Sequence, residues 1–367
     1  MKIAFDQQVF LLQEYGGISR YFCSLAREFS TRPEIQPRIF APLHINRNLE
    51  SLDAELWSGC SLPSLHPKLA RLAMIASKAL ARREISRFKP DIVHETYFSE
   101  DDFRPNEAPR VLTVYDLIHE RYADMFVNSA QTIGPKKIAA NRADHVICIS
   151  ESTRRDLVEY CNVPVERTSV IYLGVDVAFM QTNTKNQRCN QRPFLLYVGA
   201  RGGYKNFEGL IRALSRSERL RREFDLVCFG GGPLTALERE LLATSGLRTE
   251  QVIQMGGADD VLATLYQQAA AFIYPSLYEG FGIPPLEAMA AGCPVICSKS
   301  SSLPEVVGDA AETFDPTDVE AMLKAMENVL NSPSRCRVLS EAGSARFPLF
   351  NWEKCARETE DLYRKLI

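Results

Sequence analysis

Two glutamates eight residues apart, in a loop that opens a helix, are the strongest sign of chemistry in this sequence. The segment Tyr274-Pro-Ser-Leu-Tyr-Glu279-Gly280-Phe281-Gly282-Ile283-Pro-Pro-Leu-Glu287-Ala-Met-Ala-Ala-Gly292 runs from an apolar strand pattern through a glycine loop into a short helix. Prolines near the helix start and Gly292 at its end are ordinary helix punctuation. Residues 280–283 put backbone N–H groups ahead of a positive dipole end, an anion site suited to a diphosphate. Glu279 stands in the loop and Glu287 is expected in the first helical turn. One carboxylate can then face a sugar while the other reaches a ribose. The plainer role for Glu287 is to favour its own helix N-terminus.

A second segment, Tyr197-Val-Gly199-Ala-Arg201-Gly202-Gly203-Tyr-Lys205-Asn206, follows another strand pattern. Its glycines let the backbone turn tightly and approach a ligand. Arg201 and Lys205 place two cations near the strand end; arginine grips phosphate oxygens with two N–H groups, and lysine acts as a point charge. A diphosphate leaving group can be neutralised this way without a metal. No Asp-x-Asp pair offers to hold a divalent ion on a nucleotide. The alternative for this segment is a solvated turn.

Such residues need strands to position them, and the chain supplies short apolar runs from end to end. Strands are expected at 2–6, 36–41, 91–95, 110–116, 145–150 and 168–174, then at 194–199, 224–230, 252–257, 270–276, 294–298 and 311–315. Most are unbroken Val/Ile/Leu/Phe runs, the pattern of strands buried on both faces of a parallel sheet. The stretches between them supply crossover helices. The expected fold is α/β: two doubly wound, Rossmann-like domains facing across a cleft. The polar run at 181–192 builds no core and reads as a linker. The expected boundaries are a first domain at 1–178, a linker at 179–193, a second domain at 194–348 and a C-terminal helix at 349–367 that packs back on the first domain.

Composition narrows the function. The 43 basic and 46 acidic residues give a net charge of −3 over 367 residues, so a broad nucleic-acid footprint is not expected. No apolar run reaches the ~20 residues of a membrane span, and the first residues lack a secretory apolar core. A cytoplasmic location is expected. The ten cysteines form no Cys-x-x-Cys pair and read as free thiols of a reducing compartment. The five histidines have no metal-ligand spacing, so neither a metal nor a resident cofactor is expected.

Together these motifs resemble the family-four retaining nucleotide-sugar glycosyltransferases of GT-B fold. The likeness runs over nearly the whole chain. It is anchored on Glu279 and Glu287, on Arg201 with Lys205, and on Ser298-Lys-Ser-Ser-Ser-Leu-Pro304-Glu305-Val306. Ser150-Glu-Ser-Thr-Arg-Arg-Asp-Leu157 and Ile171-Tyr-Leu-Gly-Val-Asp176 add to it. The resemblance implies that Glu279 contacts donor-sugar hydroxyls, Glu287 the ribose, and Arg201 and Lys205 the diphosphate. It implies that Gly256, Gly257 and Ala258 lie near the nucleobase, and that Gly16 and Gly17 approach the donor phosphate or the acceptor. Many relatives carry a sugar-facing histidine after the fourth expected strand. Here Tyr115 holds that place, followed by Asp116, with His119 four residues on from Tyr115. Either Tyr115 takes over the contact, or His119 reaches in, or neither matters. The Arg201–Lys205 spacing is also shorter than in many relatives.

The resemblance further implies a nucleoside diphosphate sugar as donor, GDP-mannose first, because the motifs are similar to those of bacterial surface-polysaccharide (O-antigen type) mannosyltransferases. The implied acceptor is a glycan or lipid-linked glycan. Residues 68–89 bear on this point. Lys68, Arg71, Lys78 and Arg82 share one helical face, with Leu69, Leu72, Ala76 and Leu80 opposite. Such a helix either lies peripherally on an anionic membrane or packs inward by its apolar face. Rival functions are a nucleotide-sugar epimerase or hydrolase of the same fold, and a non-catalytic glycan- or nucleotide-binding subunit. A dinucleotide oxidoreductase is disfavoured because no Gly-x-Gly-x-x-Gly follows an early strand.

Overall fold

Apolar runs too short for helices, separated by helical stretches, become the strands of two parallel sheets. The computed structural model describes residues 1–62, 67–176, 190 and 192–367, with side chains of the helix at 67–88 described from Leu72 onward. The chain divides into two units. One comprises Met1–Gly174 with Asn351–Ile367, the other Val175–Phe350. Apart from residues 190, 192 and 193, the linker expected at 179–193 lies outside the described residues.

The first unit holds β1 (Lys2–Phe5), β2 (Gln36–His44), β3 (Trp57–Ser61), β4 (Ile92–Glu95), β5 (Arg110–Val114), β6 (His145–Cys148) and β7 (Thr168–Val170). Their order across the sheet is β3-β2-β1-β4-β5-β6-β7, and every neighbouring pair is parallel. All of β4 and β5 is buried, as expected when helices cover both faces. Strand β3 escaped the sequence reading. Its Trp-Ser-Gly-Cys-Ser run is partly to fully exposed at the sheet edge, so it needs no apolar pattern.

The second unit holds β8 (Phe194–Val198), β9 (Asp225–Phe229), β10 (Val252–Met255), β11 (Ala271–Tyr274), β12 (Val295–Ser298) and β13 (Ala311–Phe314). These run β10-β9-β8-β11-β12-β13, again all parallel. Strand order reverses between β8 and β11, and ligands bind open α/β sheets outside the strand C-termini at such a point. The core beneath it includes Leu195, Tyr197, Phe207, Leu210, Ile273 and Met326.

The last helix, Trp352–Leu366, belongs to the first unit. Asn351 caps it by accepting the Lys354 N–H at 2.8 Å. It packs on the helix Gly17–Ser30, with Ala356 and Tyr363 fully buried. The Tyr363 hydroxyl lies 2.5 Å from His94 Nδ1, and Thr113 Oγ1 lies 2.8 Å from Nε2. That imidazole is therefore satisfied on both sides inside the core.

Candidate active site

The loops after β8 and β11 carry both motifs that the sequence singles out, and they are sewn together. After β8 the chain passes Gly199 at φ +126°, a conformation L side chains rarely adopt. It makes a tight turn at Gly203–Lys205 and enters the helix Phe207–Ser215 through a left-handed Asn206. Asn206 Nδ2 donates to the carbonyls of Pro275 (3.1 Å) and Pro316 (2.8 Å). Leu277 N–H donates to Tyr204 O at 2.7 Å. Lys205 is thereby delivered to Glu279. Its Nζ lies 2.7 Å from Oε1 and 3.1 Å from the Tyr274 hydroxyl. It also stands 5.1 and 5.2 Å from the ring centres of Tyr204 and Tyr274. The ion pair keeps some solvent access, 15% for the lysine side chain and 12% for the glutamate. Burial, with Glu279 beside it, holds the Tyr274 phenol well above its ordinary range, so that group stays neutral.

The Glu279 loop owes its shape to the serine run after β12. Ser301 Oγ accepts the Glu279 N–H at 2.8 Å. Ser302 Oγ reaches the carbonyls of Glu279 (2.9 Å) and Phe281 (2.6 Å). Ser298 and Ser300 both donate to Ser276 O, at 2.6 and 3.1 Å. Gly282 sits at φ +126°, where an L side chain is strained, and a Cβ there would stand 2.8 Å from Leu303 Cδ2 and push it aside. The helix that follows is Ile283–Ala290. Glu287 is its fifth residue, which corrects the expectation of a first-turn carboxylate and removes the helix N-terminus as its partner. Instead the Tyr266 hydroxyl donates to Glu287 Oε2 at 3.2 Å. Pro284 and Pro285 carry no N–H, so donors to an anion here must come from residues 280–283 and not from the helix body.

Arg201 departs from its expected role. Its side chain is 1% exposed and turns into the glycine loop after β9. There Nε meets Glu238 Oε1 at 2.9 Å, and Nη1 reaches Gly230 O at 3.0 Å. Nη2 reaches the carbonyls of Gly232 (2.7 Å), Pro233 (3.0 Å) and Gly231 (3.3 Å). Gly230, Gly231 and Gly232 have φ of +86°, +70° and +68°, and this left-handed run turns their carbonyls onto one guanidinium. Partial burial works to raise the Glu238 carboxyl, but bonds from Thr235 and Arg201 outweigh it and hold it below the usual range. Arg201 here shapes a loop, with its guanidinium engaged by Glu238 and the carbonyls of residues 230–233. The sequence reading passed over both Glu238 and the three glycines, although three glycines directly after a strand were a visible signal. The exposed loop at Gly256, Gly257 and Ala258 follows β10 and is tied to this one, since Gly230 N–H donates to Met255 O at 2.9 Å.

In the first unit, Gly16 is extended and precedes the helix Gly17–Ser30. A Cβ on Gly16 would come within 2.0 Å of Gln13 Oε1, whereas Gly17 has open space. Tyr115, Asp116 and His119 follow β5, but they do not converge. The Tyr115 ring stands edge-on to the buried Tyr21 at 5.8 Å, with its hydroxyl buried and unpartnered among the described residues. Burial, then the neighbouring Tyr21, pushes that phenol well above its ordinary range. His119 packs against Phe126, ring centres 4.4 Å apart and planes tilted by 38°. Asp116 Oδ1 accepts the Ile118 N–H at 3.2 Å, and its carbonyl accepts from Lys136 Nζ at 2.9 Å. Lys136, 1% exposed, also pairs with Glu120 at 2.9 Å and so pins the whole turn. Among the described residues no three His, Cys, Asp or Glu side chains gather as a metal site.

The helix Pro67–Phe88 packs by a different face from the one expected. Ser77, Ala81 and Ile85 are buried, and Ser77 Oγ donates to Leu43 O at 3.1 Å. Leu72 and Leu80, expected inward, are 63% and 43% exposed, while Lys78 and Arg82 turn to Asp101. The side chains of Lys68, Leu69 and Arg71 lie outside the described ones.

Two parallel-sheet units of this kind are the fold of the GT-B class, and the sequence matches agree. Residues 15–179 match the family model for Glycosyltransferase Family 4, and residues 180–346 the model for Glycosyl transferases group 1. The chain belongs to this glycosyltransferase family. It is 32% identical over 232 residues to the O-antigen chain mannosyltransferase B of Escherichia coli, a match covering 60% of each chain. It is 31% identical over 317 residues to the E. coli serotype-specific mannosyltransferase WbdA, covering 80% of this chain and 39% of that one. The matches thus span less than two thirds of the length of either relative. Among solved structures, sucrose-phosphate synthase from Thermosynechococcus elongatus has a TM-score of 0.77 at 20% identity, covering 100% of this chain and 99% of the other. Anabaena HepE in complex with UDP and glucose has a TM-score of 0.73 at 17% identity, covering 99% of both chains. These two likenesses establish the fold.

Proposed function

We propose that this chain is a retaining hexosyltransferase that moves mannose from GDP-mannose to a hydroxyl on a lipid-linked glycan of a surface polysaccharide. The observation that carries the reading is the Lys205–Glu279 pair beyond the ends of β8 and β11. A partly dry ammonium beside a carboxylate suits a reaction that separates a diphosphate anion from a cationic sugar. Lys205 meets the phosphate as charge develops on it, together with N–H groups of residues 280–283. Glu279 faces the oxocarbenium-like sugar, and Glu287, oriented by the Tyr266 hydroxyl, holds the ribose. The acceptor hydroxyl attacks from the face the diphosphate leaves, so no enzyme nucleophile takes part. Lys205 and the loop amides supply the counter-charge without a divalent ion.

Similarity to an O-antigen chain mannosyltransferase supports mannose, and the UDP and glucose held by HepE support a nucleotide-sugar donor. Among the described residues no helix is long and apolar enough to cross a membrane. The exposed Leu72, Ile75 and Leu80, followed by Arg83 and Arg87, support peripheral docking on an anionic bilayer from the cytoplasmic side. A thermal-shift panel of nucleoside diphosphate sugars, run with and without EDTA, tests the donor. GDP-mannose should stabilise most, equally in chelator, and the product linkage should keep the donor's anomeric configuration by NMR. No stabilisation by any member of the panel would remove the reading, and an inverted product would remove its mechanism.

A further inference from the structure

Each glutamate of the site is met by a phenol, and the two phenols stand at the ends of one row of rings. Tyr266, in the helix Asp259–Gln268, donates its hydroxyl hydrogen to Glu287. Its ring lies edge-on to Phe272 at 5.4 Å, and Phe272 stacks with Tyr274 at 5.6 Å. Tyr274 is the last residue of β11 and is 2% exposed. A strand end buried this deeply calls for an apolar side chain, and phenylalanine would fill the same space. The hydroxyl is the part that packing does not explain.

Both partners of that hydroxyl are charged. Lysine has only donors, so the contact from Lys205 Nζ at 3.1 Å uses the phenol oxygen as acceptor. The single phenol hydrogen is then left for the Glu279 carboxylate, to which the hydroxyl also bonds. Burial, with Glu279 beside it, keeps that hydrogen in place. Lys205, Tyr274 and Glu279 thus close a ring of contacts: lysine to carboxylate, lysine to phenol, phenol to carboxylate.

The ring matters when the lysine turns elsewhere. In the reaction proposed above, Lys205 meets a diphosphate. Glu279 then loses its counter-charge while its side chain is only 12% exposed, where a bare carboxylate is poorly solvated. Among the described residues, the donor that stays with it is the phenol. We propose that Tyr274 is a positioning residue that keeps the Glu279 carboxylate ionised and aimed while Lys205 passes from Glu279 to the donor's diphosphate. It touches neither sugar nor phosphate and acts through its two neighbours. The inference rests on the glycosyl-transfer reading and deepens it.

Calorimetric titration of GDP and UDP into the wild type, Tyr274→Phe, Glu279→Gln and the double variant tests it. With Glu279 present, Tyr274→Phe should weaken nucleotide binding about tenfold, because Lys205 then leaves a bare carboxylate behind. In the Glu279→Gln background no charge is left bare, and the same change should alter affinity by less than about twofold. Tyr274→Met, a second way to remove the hydroxyl, should give the same two results, and urea midpoints show that each variant is folded. An equal loss in both backgrounds would make Tyr274 a merely structural residue, and no loss in either would mean that the lysine moves without it. Both results overturn the inference and leave the glycosyl-transfer reading standing. No nucleotide binding by the wild type would instead remove that reading, and this inference with it.

Discussion

Lys205 and Glu279 lie 74 residues apart in the chain and 2.7 Å apart in space. They meet because β8 and β11 are neighbours in the sheet and each delivers its loop to the same edge. In the proposed reaction, this pair would give a leaving phosphate and a developing sugar cation their partners at once.

Glu279→Gln should chiefly lower kcat, because a carboxylate facing a sugar that gains positive charge matters most in the transition state. Glu287→Gln should chiefly raise the donor's KM, because a ribose contact is equally present in ground and transition states. Steady-state kinetics on both variants checks the division. Identical defects would undo it.

Arg201→Ala should behave as a folding mutant. It leaves Glu238 and the carbonyls of the 230–233 loop without their donor, at a cost of about 3 kcal/mol. Arg201→Lys should not rescue it, since one ammonium cannot span those acceptors. Urea unfolding reads the effect. A variant of wild-type stability with weakened diphosphate binding would return Arg201 to the role of phosphate ligand.

His94 sets an acid limit on the first unit. Burial drives its pKa down from 6.5 to about 3, so the folded state refuses a proton that the unfolded chain accepts. The stability this gives is complete above pH 6.5 and is lost as pH falls towards 3. Between pH 7 and pH 5 the wild type should lose about 2 kcal/mol through this group. Urea curves at the two pH values should show a smaller loss for His94→Gln by about that amount, and equal losses would refute the assignment.

Much of this was legible in the sequence, for reasons that also mark where legibility ends. Each of the twelve expected apolar runs contains a strand, because most strands of a sheet covered on both faces are rich in apolar residues. The edge strand β3 carries no such requirement and left no pattern. Glu279 and Lys205 were each found by their place just after a strand. The direction of the Arg201 side chain was not, because it depends on carbonyls that lie about 30 residues further on. The helix at 67–88 makes the same point. Spacing tells which residues share a face, but the fact that Ser77 and Ala81, and not Leu72 and Leu80, face the sheet is decided by packing against β2. Glu287 moved out of the first turn because the helix begins only at Ile283.

In the proposed reaction Lys205, and not Arg201, meets the donor's diphosphate beside Glu279. Titration calorimetry of GDP and UDP into the wild type and Lys205→Ala tests it most directly. At least one nucleotide should bind the wild type. The variant, with an unchanged urea midpoint, should bind it about 10- to 100-fold more weakly, the loss of one charge-assisted contact. Equal affinity in the two proteins, or no binding of either nucleotide to the wild type, would exclude that role for Lys205.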